Sequence, residues 1–189
     1  MARSSLFIIS GPSGAGKGTV VRGLLAQRPD LLLSVSCSTR PPRPTEKQGV
    51  HYWFVSERQF QAMRDRGEFL EWAEVHGYLY GTPRTPVEAQ LAVGREVLLE
   101  IDVQGAAQVK RHMPEAFLIF IEAPTMDILE DRLRKRRTES AEAVNRRLEA
   151  AYDELRRKMW FDGVVVNTQV DQAVDEVLQV MAKLKESAG

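Results

Sequence analysis

Cysteine is nearly absent: Cys37 stands alone in 189 residues, which excludes an intrachain disulfide framework and any zinc site built from several thiolates. Excess charge of either sign is absent too, with 26 Lys and Arg against 26 Asp and Glu. No global field therefore draws the chain to nucleic acid or to an anionic membrane, and any anion it binds must be recognised by a local cluster. No apolar run approaches the roughly 20 residues that cross a bilayer. The segment from Met1 turns glycine-rich at Gly11, too soon for the core of a secretion signal. The three histidines, His51, His76 and His112, lack metal-ligand spacing and read as surface or packing residues. Together these absences set the expectation of a cytoplasmic chain with neither nucleic-acid nor membrane partners. They do not decide between a monomer and a homo-oligomer.

Hydrophobic residues make up 43% of the chain and charged residues 28%, the balance of a soluble globular domain, and the length suits one compact unit with inserts. Short apolar runs recur at Leu6 to Ile9, Leu31 to Val35, Val97 to Ile101, Phe117 to Ile121 and Val164 to Val166. Their near-continuous apolarity predicts strands buried on both faces. Between them lie helical patterns: Val20, Val21, Leu24 and Leu25; then Leu148, Tyr152, Leu155 and Met159; then Val174, Val177, Leu178, Met181 and Leu184. Strands alternating with helices imply a parallel sheet covered on both sides. Residues 37–90 break the rhythm with Pro41, Pro42, Pro44, Pro83 and Pro86, and read as an inserted, partly β lobe in which Trp53 and Phe54 are strand core. A second insert is expected from Arg132 to Arg147, where five basic residues crowd before a new helix. The polar tail from Lys183 to Gly189 is expected to fray.

The first strand runs directly into Gly11-Pro12-Ser13-Gly14-Ala15-Gly16-Lys17-Gly18-Thr19 and then into a helix. This is G-x-x-x-x-G-K in the strand, loop, helix setting that gives it meaning. Glycines let backbone N–H groups turn inward around phosphate oxygens, the helix start adds partial positive charge, and Lys17 can reach the outer phosphates, so ATP is the expected ligand. The Ser or Thr that usually follows the lysine is Gly18 here, with Thr19 one place later. The ordinary magnesium-binding hydroxyl is therefore displaced.

Farther on, Arg40 and Arg43 lie three apart in a proline-stiffened segment and can present two guanidinium forks to one phosphate, with Tyr52 and Tyr80 as neutral donors. Glu71 lies between Phe69-Leu70 and Trp72-Ala73. A carboxylate there can accept from the adjacent N1–H and amino group of guanine, a donor pair adenine lacks. Asp102 ends the apolar run at Ile101, with Glu100 two residues earlier on the same pleat face. Ligands collect at the carboxyl ends of such strands, so Asp102 is a candidate for substrate or magnesium-bound water, and equally for capping the next helix.

The phosphate loop is followed in order by Ser34-Val-Ser-Cys-Ser-Thr-Arg-Pro-Pro-Arg43, Gly49-Val-His-Tyr-Trp-Phe-Val-Ser56, Phe69-Leu-Glu-Trp-Ala73, Tyr78-Leu-Tyr-Gly-Thr82 and Glu100-Ile-Asp-Val-Gln-Gly105. This series, from Leu6 to Asn167, resembles guanylate kinase among the P-loop nucleoside monophosphate kinases. The resemblance implies an α/β, three-layer P-loop kinase fold with a central parallel five-stranded sheet (1–36, 91–131 and 148–189). It adds a mixed-β GMP-binding lobe (37–90) and a helical arginine-rich lid (132–147). It implies ATP-dependent phosphorylation of GMP, and of dGMP, to the diphosphate in purine metabolism, with Mg²⁺ held mainly through ATP phosphates and water and with Thr19 or Asp102 as possible protein contributors. Ser36, Arg40, Arg43, Tyr52, Glu71, Tyr80, Thr82 and Asp102 would then surround GMP. Arg132, Arg136 and Arg147 would stabilise the transferring charge beside Lys17 and Arg40, and Asn167 would lie on the adenine side. Two places depart from the family pattern: Arg137, where glycine is common, and Phe161-Asp162-Gly163. Two other readings fit the scaffold, a kinase of another small phosphate such as a ribosyl bisphosphate and a noncatalytic interaction module. The first has no use for Glu71 as a base reader. The second commonly lacks the loop lysine that this chain keeps.

Overall fold

The computed structural model describes residues 4–75, 77–135 and 141–187; Arg136, Arg137 and His76 lie outside them. In chain order the elements are β1 (Leu6–Ser10), α1 (Lys17–Gln27), β2 (Leu32–Leu33), β3 (Cys37–Ser38), β4 (Trp53–Phe54), α2 (Glu57–Asp65), β5 (Phe69–Val75), β6 (Tyr78–Pro83), α3 (Arg84–Ala92), β7 (Val97–Glu100), α4 (Val103–His112), β8 (Phe117–Glu122), α5 (Met126–Arg134), α6 (Ala141–Arg156), a 3₁₀ turn (Arg157–Trp160), β9 (Gly163–Val166) and α7 (Val170–Ser187). Among these, no helix is long and apolar enough to cross a membrane.

Five strands form a parallel sheet in the order β2-β7-β1-β8-β9. The runs of β1, β7 and β8 are buried on both faces because alternate side chains enter opposite cores, whereas β9, at the sheet edge, buries Val165 and leaves Val164 and Val166 38% and 41% exposed. Phe7, Ile9, Leu98, Ile119 and Ile121 join α1, α5, α6 and α7 through Val20, Leu24, Leu129, Ala151, Val174 and Val177. Leu6, Ile8, Val97, Leu99 and Leu118 face the other way, against Val87 of α3 and Ala106 and Val109 of α4. Three layers result, as the alternation of strands and helices predicts.

A second, mixed sheet has the order β4-β3-β6-β5, with β3 parallel to β4 and antiparallel to β6. It has its own small core, in which Phe60 of α2 stacks on Phe69 with ring centroids 4.4 Å apart beside Cys37. Ser56 caps α2 and exchanges hydrogen bonds with Gln59 in a full capping box, which supplies two of the N-terminal backbone groups with partners.

Other expectations change as well, among them that for Tyr152, which is 55% exposed on α6. Only Leu32 and Leu33 of the second apolar run pair as a strand, at the sheet edge. Trp53 is 45% exposed, because β4 is a two-residue edge strand with no layer over that side. Met159 is 81% exposed, since α6 stops at Arg156 and the tighter turn that follows rotates it out of the helical stripe. The tail stays helical to Ser187, held by an ion pair between Lys185 and Glu96.

Candidate active site

β1 delivers the chain into the phosphate loop at the carboxyl edge of the sheet, where backbone conformation dictates sequence. Gly11, Gly14 and Gly16 have φ of 136°, 91° and 91°, conformations that L side chains rarely adopt. A side chain at Gly11 would also collide with the carbonyl of Ile121. Gly16 leads into α1 in a left-handed conformation with no side chain capping the helix start among the described residues, so its first N–H groups remain for an anion. Lys17 folds over the loop and donates from Nζ to the carbonyls of Gly11 (2.5 Å) and Pro12 (3.1 Å). Asn167, 2% exposed at the end of β9, donates from Nδ2 to the Ala15 carbonyl at 2.8 Å. Arg132 donates to the Asn167 carbonyl at 3.1 Å and to that of Ala15 at 3.4 Å. Thus Asn167 and Arg132 brace the loop from its outer side. Thr19 is exposed and accepts from Arg22 at 3.1 Å. At Gly18 a Cβ would touch the Glu100 carboxylate at 3.4 Å.

Across a cavity of about 370 Å³ lies the mixed sheet. Ser13 and Lys17 of the loop, Ser36, Arg43, Tyr52, Glu71 and Tyr80 of the lobe, Glu100 and Asp102 at the end of β7, and Arg147 and Glu154 of α6 all line it. Glu71 and Thr82 are register partners on β5 and β6. The buried Thr82 hydroxyl donates to Glu71 Oε1 at 2.6 Å and lies 3.4 Å from the Ser36 hydroxyl. A chain of three polar side chains therefore ends on a carboxylate that is 4% exposed. Burial pushes Glu71 up to about 7, with the Thr82 hydrogen bond pulling the other way and Asp102 adding to the rise. Glu71 reaches so close to α4 that any Cβ on Gly105 would overlap its Oε2. Asp102 caps α4 by accepting from the Gly105 N–H at 2.7 Å, and it also lines the cavity. Burial raises it as well, and burial likewise raises Glu100 against the pull of Lys17 and Arg22.

Arg40 does not line the cavity wall directly. Its guanidinium forms a bidentate pair with Glu46 at 2.9 Å for both contacts, while its Nε donates to the Tyr80 hydroxyl at 3.2 Å. Tyr52 packs edge-on to Tyr80 at 5.9 Å with the Arg40 guanidinium 5.6 Å from its ring. Glu46 also accepts from the Arg43 N–H at 2.7 Å and sits 3.9 Å from the Arg43 guanidinium. Burial alone would raise Glu46, but the hydrogen bonds from Arg40 and Arg43 outweigh it and hold it below its ordinary value. Both arginines of the predicted clamp are thus assembled on one carboxylate that sequence reasoning passed over. Its only signal is its place three residues after Arg43 within the same rigid turn.

α6 closes the cavity. Arg147 is 7% exposed and donates to the Ser13 hydroxyl. Seven residues on, Glu154 lines the same space, and burial raises it to about 7 against the pull of Lys17 and Arg157. Glu154 is a second residue that the sequence reading missed. The segment Phe161-Asp162-Gly163 lies away from this space: Phe161 packs edge-on to Phe120 at 5.0 Å, and Asp162 accepts from the Leu118 N–H at 2.8 Å, which starts β9 in register. No three His, Cys, Asp or Glu residues cluster as metal ligands among the described residues.

A loop built for a polyphosphate, an arginine-tyrosine cluster and a buried carboxylate opposite it make a cleft for two phosphate-bearing ligands. A family model described as guanylate kinase matches residues 3–184. The chain is 51% identical to the guanylate kinase of Thermobifida fusca over 177 residues, 94% of this chain and 90% of that one. It is 43% identical to that of Carboxydothermus hydrogenoformans over 185 residues, 98% and 91% of the two chains. Its fold matches the crystal structure of guanylate kinase from Anaplasma phagocytophilum with a TM-score of 0.81 at 31% identity, covering 98% of this chain and 88% of that one.

Proposed function

Since the chain belongs to the guanylate kinase family and phosphorylates GMP from ATP, we propose that the two walls of this cleft divide the work. The loop from Gly11 to Thr19 binds ATP, with its N–H groups and Lys17 on the phosphates. The mixed sheet binds GMP: Arg40, Arg43, Tyr52 and Tyr80 take its phosphate, and Ser36, Glu71, Thr82 and Asp102 take its base. The observation that carries this reading is Glu71, a buried carboxylate whose one oxygen is occupied by Thr82 and whose other points toward the start of α4. Guanine offers two adjacent donors to such a group, whereas adenine would leave it unpaired.

Transfer needs no covalent intermediate and no dedicated base, because the attacking GMP phosphate oxygen is already ionised. Catalysis then consists of holding two phosphates in line and stabilising the charge that moves between them. Lys17 and Arg147 face that space, and Arg132, through its contacts to Ala15 and Asn167, supports the loop. Arg136 is assigned to the lid with them by family likeness. The donor set also fits Mg²⁺. Glu100 and Asp102 are hard oxygen donors on the cavity wall facing Lys17, suited to holding the waters of an ion carried on the ATP phosphates. When bound, the ion supplies charge neutralisation across those phosphates. Thr19, exposed and paired with Arg22, is the weaker candidate, so Asp102 carries the protein side of this role. We place the reaction in the cytoplasm, within purine nucleotide metabolism, and assign residues 37–90 and 132–147 as parts that close over the bound pair and exclude water. Small-angle scattering should show compaction only when both nucleotides are present.

The assignment is tested by coupled ADP release with Mg²⁺ and ATP, offering GMP, dGMP, AMP, CMP, UMP and ribose 1,5-bisphosphate separately. Turnover is expected with GMP and dGMP. Turnover with the sugar phosphate alone would remove the base-reading role from Glu71, and silence with all acceptors would mark an interaction module.

A further inference from the structure

β5, the strand that carries Glu71, is an edge strand of the mixed sheet. Alternate residues of such a strand direct their backbone N–H and C=O groups outward, away from the neighbouring strand. At Trp72 both groups are taken by one side chain of α4. The half-buried Gln108 amide accepts from the Trp72 N–H at 3.2 Å and donates to the Trp72 carbonyl at 2.7 Å. A primary amide sets an acceptor oxygen beside a donor nitrogen, so it can pair with both groups of one residue as a further strand would. α4, a helix covering the main sheet, is thereby fastened to the mixed sheet at the residue next to Glu71.

Gly105 and Gln108 are three apart on α4 and hence neighbours on one helix face. At Gly105 the missing side chain lets Glu71 come up to the helix, since a Cβ there would overlap Oε2. One turn later Gln108 holds the strand at that approach. Leu70, on the other side of Glu71, is buried with Ala106 and Val109. That apolar contact presses β5 against α4 but is non-directional, so it does not set how the strand slides or twists along the helix. The ladder with β6 shifts register between Phe69 and Glu71, and such irregularities re-aim the side chains beside them. Two directional bonds from one planar amide, one residue from the carboxylate, supply the missing constraint.

We propose that Gln108 is a positioning residue for base selection: its two hydrogen bonds to Trp72 fix β5 on α4 so that the Glu71 carboxylate stands where the N1–H and amino group of guanine meet it. This rests on the reading of Glu71 as the base-recognising group. Gln108 does not line the cavity and acts only through the strand. Folding of α4 does not depend on it, since Val103, Ala106 and Val109 bury the helix against the main sheet.

The test compares full-length wild type, Gln108→Met, Gln108→Ala, Glu71→Gln and the double variant Glu71→Gln/Gln108→Met, with GMP and with inosine monophosphate as acceptors. The second acceptor lacks only the 2-amino group, so the ratio of the two kcat/KM values reads the hold of the carboxylate on that group. Taken within one preparation, the ratio is independent of the fraction folded. Met keeps the length and helix propensity of Gln while losing both bonds. Gln108→Met is expected to raise the KM for GMP by about three- to tenfold and to lower the ratio by about threefold or more. Its kcat at saturation and its ATP affinity by calorimetry should stay as in the wild type. Gln108→Ala should behave alike, and the double variant should have a ratio no lower than Glu71→Gln, because the two residues act as one unit. An unchanged ratio in Gln108→Met beside a collapsed one in Glu71→Gln would overturn the proposal alone, by making Gln108 a general brace of the lobe. A ratio that survives Glu71→Gln would remove the reading beneath it. A ratio lowered by Gln108→Ala but not by Gln108→Met would also overturn the proposal, tracing the effect to lost packing. So would weakened ATP binding in Gln108→Met, or additive losses in the double variant.

Discussion

The two walls of the cleft are built on opposite plans. The donor wall is one continuous stretch, Gly11 to Thr19, whose geometry is set by left-handed glycines and by a lysine returning to its own loop. The acceptor wall is gathered from β5, β6, the end of β7 and the segments flanking β3, and its central groups are held by other side chains: Arg40 by Glu46 and Tyr80, Glu71 by Thr82. A phosphate can be recognised by backbone alone, since any ring of N–H groups will serve. A particular base needs side chains of defined direction, and those need partners of their own. The donor wall should therefore fail through backbone changes and loss of charge, and the acceptor wall through loss of a supporting partner.

The largest break in this contrast is expected from Lys17→Met. Removing a charge aimed at the transferring phosphate should lower kcat by about 10²- to 10³-fold, with an unfolding temperature close to wild type. Next is Glu71→Gln. It places an amide where guanine presents donors, and an unsatisfied buried donor costs about 1–3 kcal/mol, or roughly ten- to hundredfold in kcat/KM for GMP. ATP affinity, measured by calorimetry, should not change. Gly105→Ala sharpens the point, because it alters no functional group. The new methyl would overlap Glu71 Oε2, so a KM for GMP raised about tenfold is expected from displacement of one buried hydrogen-bonding partner, with kcat at saturation largely kept.

The smallest effect concerns pH. Burial raises Glu71 to about 7, whereas in the unfolded chain it titrates in the ordinary carboxylate range. A raised folded value means that stability is full below the ordinary range and is lost as pH rises toward and through 7. Guanine needs the ionised form, so its binding strengthens as pH rises through that value. The thermal shift produced by GMP should thus grow from pH 6 to pH 8 in the wild type. In Glu71→Gln that growth should shrink to what the phosphate of GMP itself contributes.

The same contrast explains what the sequence made legible. The five parallel strands could be read because runs such as Phe117 to Ile121 are apolar on both faces, and the donor loop because its residues are neighbours in the chain. Ser36 and Thr82 came only through family likeness, since their tie to Glu71 depends on strand register across β5 and β6. Glu46 and Glu154 look like solvated surface acids until the fold turns them inward. Trp53 and Met159 show the converse: apolar residues whose period or propensity suggests burial, left outside by a short edge strand and a helix that stops early.

The measurement that bears most directly on the division of labour is the ratio of kcat/KM for GMP over AMP, taken in the wild type and in Glu71→Gln under the same ADP-release assay. The expected result is a large preference for GMP that collapses in the variant while ATP affinity is untouched. A preference that survives the substitution, or an equal loss toward ATP and GMP, would contradict the assignment of base reading to the acceptor wall.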